Sequence, residues 1–125
     1  MTAGDIYNVA GSGKRAFSGD GGPATSAGLR SPYGIATDSA GDLLVADTFN
    51  SRARMVAATT GTFYGQAMTA GDIYTIAGNG KVGFAGDGGP ATSAKLGKPE
   101  GSAADGAGNL VVADTGNNRI RQVGG

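Results

Sequence analysis

The chain has 125 residues, ten Lys and Arg against ten Asp and Glu, 25 glycines, and neither cysteine nor histidine. A zero net charge removes the field that draws a protein to nucleic acid or to an acidic membrane surface, so neither is expected as a partner. Without cysteine there is no disulfide or thiolate site. Without histidine the commonest general base near neutral pH and the commonest transition-metal ligand are missing, so no metal, cofactor or catalytic group is expected.

The first element in chain order is GDIYNVAG at 4–11, where short apolar alternation around Tyr7 predicts a strand. The preceding residues lack a basic stretch followed by an apolar one, so no export signal is expected, and no apolar run reaches membrane-spanning length. DGGPATSAGL at 20–29 breaks the strand rhythm. Pro23 ahead of Ala-Thr-Ser-Ala predicts one helical turn, with Asp20 placed to accept from its free amides. A phosphate-cradling loop is the competing reading, and it fails because no Gly-Lys-Ser/Thr follows. YGIATDSAGDLLVADT at 33–48 reads as two strands about a tight Asp-x-x-Gly-Asp turn, and SRARMVAA at 51–58 as a further strand with one wet face.

From residue 68 the pattern starts again. Residues 68–125 match residues 1–58 at 37 of 58 positions, and GDGGPATSA stands unchanged at 19–27 and 86–94. The chain therefore divides into repeats 1–67 and 68–125, the first lengthened by ATTGTFYGQAMTA at 58–70. Each repeat holds four predicted strands, those of the second lying in 71–78, 100–115 and 118–125. Duplication on this scale predicts a stacked or radial architecture in which each unit needs neighbours to bury its faces.

YGIATDSAGDLLVADTFNSRAR and EGSAADGAGNLVVADTGNNRIR resemble NHL repeats, and AGDGGPATSA is similar to the linker of bacterial NHL-repeat proteins. The resemblance covers nearly the whole chain. It implies an all-β fold, a β-propeller whose blades are four antiparallel strands, with two blades per chain. It also implies the order within a blade: 33–38 innermost, 43–48 second, 52–57 third, and 71–78 outermost. On that order 4–11 is an outer strand without its inner three, and 101–124 are inner strands without their outer one. The expected partner is another copy, strand 4–11 of one chain completing the blade formed by 101–124 of its neighbour. Three copies then close six blades as a homotrimer, and four close eight. On this reading the chain is a structural, non-enzymatic piece excised or engineered from a larger NHL-repeat protein.

Two residue sets stand out beside this. Asp47 with Arg52, and Asp114 with Arg119, are expected to form structural networks at strand ends, in preference to a catalytic acid, because buried charges are normally paired. Arg30, Tyr33, Lys98 and Glu100 are expected at one mouth of the channel, where a small anion or a peptide could bind. Asp38, Asp42 and Asp105 match only part of a calcium loop, so turn chemistry is the expectation there. Tyr7, Tyr74, Phe17 and Phe84 recur at equivalent positions and are read as packing between blade and linker.

Overall fold

The computed structural model describes residues 1–125. Its strands are β1 (Pro32–Thr37), β2 (Leu43–Asp47), β3 (Arg52–Val56), β4 (Gly61–Phe63), β5 (Gln66–Met68), β6 (Ile73–Ala77), β7 (Gly101–Ala104), β8 (Leu110–Asp114) and β9 (Arg119–Val123). All pairings between them are antiparallel, and there is no α-helix.

β1, β2, β3 and β6 form a four-stranded sheet in that order, which is the blade order implied by the resemblance to NHL repeats. The residues explain it. Asp38 caps a tight turn by accepting from the N–H groups of Ala40 and Asp42, which folds β2 back on β1. Ser51, in the left-handed conformation at φ 50°, ends the 3₁₀ turn Thr48–Asn50 and reverses the chain into β3. β7, β8 and β9 repeat the arrangement with Asp105 and Asn118, but as a three-stranded sheet. The extra segment of the first repeat forms the small hairpin β4–β5.

The core lies between the two sheets. Leu44, Met55 and Ile76 of the first meet Leu110 and Val112 of the second, with Leu96 of the linker, in one buried cluster. The innermost strands approach most closely: a side chain at Gly34 would run into the carbonyl oxygen of Glu100. The Thr48 hydroxyl donates to the Pro99 carbonyl at 2.6 Å, the one buried side-chain tie between the sheets at that end.

Residues 4–11, expected as an outer strand without its inner three, pair with no strand of this chain. Their apolar side chains lie open, Ile6 at 98% exposure and Val9 at 54%. The predicted helical turns are single 3₁₀ turns, Ala24–Ser26 and Ala91–Ser93, each preceded by proline. Neither has a side-chain cap, and Asp20 and Asp87 instead accept from arginine.

The tight approach at Gly34 sets a test. Gly34→Val should lower stability by about 1–3 kcal/mol, read from the urea midpoint, as overpacking of a close contact requires.

Candidate functional site

Arg54 organises the first blade. Its side chain is fully buried, with Nε and Nη2 donating to Asp20 Oδ1 at 3.1 and 2.8 Å and Nη1 donating to Asp47 Oδ2 at 3.3 Å. The remaining donors reach the carbonyls of Gly28 and Ser18, both at 2.8 Å. Asp47, also fully buried, accepts from the Arg30 backbone and from the Asn50 amide, both at 2.7 Å. Every Arg54 donor and both Asp47 oxygens are thus hydrogen-bonded, which is the condition for keeping an ion pair out of water. The knot ties the linker 18–30 to β2 and β3.

The second blade repeats it. Arg121 donates to Asp114 at 3.3 Å and to Asp87 at 2.9 Å, and Asp114 accepts from the Gly97 N–H at 2.6 Å. The expected partners Arg52 and Arg119 are therefore the wrong arginines. They share a strand face with Arg54 and Arg121 but sit at the strand entry, where each guanidinium lies over an aromatic ring instead: Arg52 at 3.5 Å from the Phe17 centroid, Arg119 at 3.7 Å from that of Phe84. Burial lowers the pKa of Arg52, and Asp20 and Asp47 partly offset that. The aromatic rings pack between blade and linker, as their recurrence suggests.

The residues expected at the channel mouth divide. Tyr33 stands edge-on to Phe49 at 5.7 Å, and Lys98 Nζ lies 5.4 Å from the same ring. Arg15, unforeseen, joins them at 5.6 Å. Arg30 is spent partly on the Asp47 knot through its N–H, and Glu100 is exposed without an ion-pair partner. Phe49 and Arg15 carried no signal in the repeat, because Gly116 and Val82 occupy the matching positions.

The largest concave feature is elsewhere. A groove of about 760 Å³ runs along the outer edge of β9, walled by Arg119–Gly124 on one side and by Gly86–Ala91 of the linker on the other, with Ile76, Leu96 and Val112 at its floor. The first blade shows what such a groove accommodates. There β6 lies between β3 and the linker: Gly21 and Ala24 donate to the carbonyls of Ile73 and Gly71, at 2.7 and 3.0 Å, and Ile73 donates to Gly22 at 3.0 Å. The linker thus clasps the fourth strand from outside. In the second blade the matching Gly88 and Ala91 N–H groups have no acceptor in the chain. Ile120 on β9 is 73% exposed, whereas Ala53 at the same position of β3 is 1% exposed.

No family model and no curated protein sequence matches the chain. Solved structures do. It is similar to a structural genomics protein of unknown function from Bacteroides thetaiotaomicron, with TM-score 0.72, 19% identity, and coverage of 90% of this chain and 26% of that one. It is also similar to an auxiliary nutrient binding protein of the same organism, with TM-score 0.68, 24% identity, and coverage of 94% and 28%. The chain spans about a quarter of the length of each. At these identities the likeness shows the fold alone, and the fold is β-propeller-like.

The two arginine knots should differ in worth. Arg54→Leu, which strands the fully buried Asp47, should cost about 3–5 kcal/mol in denaturant unfolding. Arg121→Leu also strands a fully buried carboxylate, Asp114, but should cost less, since the Arg121 side chain is itself 11% exposed and its second partner Asp87 is 69% exposed.

Proposed function

We propose that the chain is a structural, non-catalytic propeller segment of the NHL type, whose copies complete one another's second blade head to tail. The observation that carries this reading is a pair of equivalent residues. Ile73, on the fourth strand of the first blade, is 0% exposed, while Ile6, at the same position of GDIYNVAG, is 98% exposed. One chain therefore holds both an unpaired outer strand and an open groove shaped for it, on different blades.

Exposed apolar side chains and unpaired ladder groups are costly singly and hazardous together. Docking 4–11 of one copy into the groove of the next relieves both at once. Because this contact is heterologous, it closes only when the rotation per chain divides a full turn. Three copies close a six-bladed ring, the size we favour, and four close an eight-bladed one. The absence of His and Cys from the sequence supports an architectural role over a catalytic one.

A second reading rests on the channel mouth. Arg15 and Lys98 both lie against Phe49, and ring closure would bring several such clusters around one opening, a setting for an anionic ligand.

Mass in solution by native mass spectrometry and light scattering tests the first reading. The expected result is one species of three chain masses, reduced to single chains by Ile6→Asp, which would carry a charge into the docked interface. A folded single chain at all concentrations contradicts it.

A further inference from the structure

The outer strands of the two blades differ at only two of eight positions, 71–78 against 4–11, and one difference is chemical: Asn8 stands where the first blade has Thr75. In the first blade the Thr75 hydroxyl donates to Asp20 Oδ2, while Asp20 Oδ1 accepts from Arg54. The carboxylate thus bridges the third and fourth strands. In the second blade Asp87 is half of the same device. Its Oδ1 accepts from Arg121 at 2.9 Å, its Oδ2 has no donor, and it borders the open groove.

From this we infer that Asn8 of one copy donates its side-chain amide to Asp87 of the next, and that this contact sets the register of the exchanged strand. The inference rests on the blade-completion reading and adds the residue pair that makes it selective.

Asparagine suits the position for a reason that threonine does not share. Its amide carries two N–H groups. One donates to the Gly11 carbonyl at 2.8 Å, and the other is free for Asp87. The arm is ordered in other ways too. The Thr2 N–H donates to the Tyr7 hydroxyl at 3.0 Å, as Thr69 donates to Tyr74 at 2.8 Å, and hydrogen bonding from the Thr2 side chain, then from its N–H, holds the Tyr7 pKa below its ordinary value. Gly11 and Ser12 donate to Ala24 and Ala27, as Gly78 and Asn79 donate to Ala91 and Ala94. Both ends of the arm therefore have the conformation of the docked strand, and little ordering remains to oppose association.

Register needs such a device. A strand held mainly by backbone bonds can slip, and a slip by one residue turns Ile6 away from Ala91, Ala94 and Leu96, the counterparts of the residues that bury Ile73. The Asn8 amide reaches Asp87 in one register only.

The test compares the concentration dependence of assembly, by light scattering on dilution, for the full chain and three variants. Asn8→Asp sets a carboxylate against Asp87 and should weaken association at least tenfold. Asp87→Asn alone, which also removes the Arg121 ion pair, should weaken it about threefold to tenfold. Asn8→Asp combined with Asp87→Asn exchanges donor and acceptor and should return association to within about threefold of the Asp87→Asn value. Asn8 and Asp87 are both exposed, and circular dichroism checks that the four proteins fold equally. Assembly unaffected by Asn8→Asp overturns the pairing while leaving blade completion intact, and so does a weakened Asn8→Asp that Asp87→Asn fails to rescue. A single chain at every concentration overturns both.

Discussion

A strand is stable only where an edge receives it, and in this chain one peptide pattern exists in both conditions. GDIYTIAG at 71–78 lies between β3 and the linker and is buried, whereas GDIYNVAG at 4–11 has no edge and lies open. Composition cannot account for the contrast, since six of the eight residues are shared. Pairing does. Backbone groups bonded on both edges and apolar side chains set against Leu96 and its neighbours hold the first copy, and nothing within the chain holds the second.

The linker GDGGPATSA serves this constraint directly. In the first blade its glycines let the backbone pass close along β6 and bond it from outside, while Asp20 reaches inward to Arg54. The nine residues recur because each blade needs an outer clasp and an acidic partner for the third-strand arginine. The same linker leads from an outer strand to the innermost strand of the next blade, so the clasp and the joint between blades are one segment. The knot beneath it, in which Arg54 bonds both Asp47 and Asp20, fixes the third strand whose edge the fourth must meet.

Much of this was legible in the residues. Period-two alternation and Asp-x-x-Gly turns located the four strand segments of each repeat, and the resemblance to NHL repeats supplied their order within a blade. That resemblance also implied that 4–11 is an outer strand without its inner three and that 101–124 are inner strands without their outer one. What escaped was the choice between neighbours on one face. Arg52 and Arg54 have the same parity along β3, so spacing could not say which enters the core. The answer lies in Phe17, brought from the linker to cover Arg52. Asp20 was misread as a helix cap for the same kind of reason: its partner is 34 residues distant along the chain. The cluster at Phe49 was hidden because it occurs in one repeat only.

Amide hydrogen exchange tests the pairing claim most directly, because it reads the same backbone bonds in both copies of the strand. At high protein concentration Ile6 and Val9 should be protected to nearly the extent of Ile73 and Ile76, and they should lose that protection on dilution while 73–77 keep it. Rapid exchange throughout 4–11 at every concentration, beside a protected β6, would show that no copy receives the arm and would contradict the account.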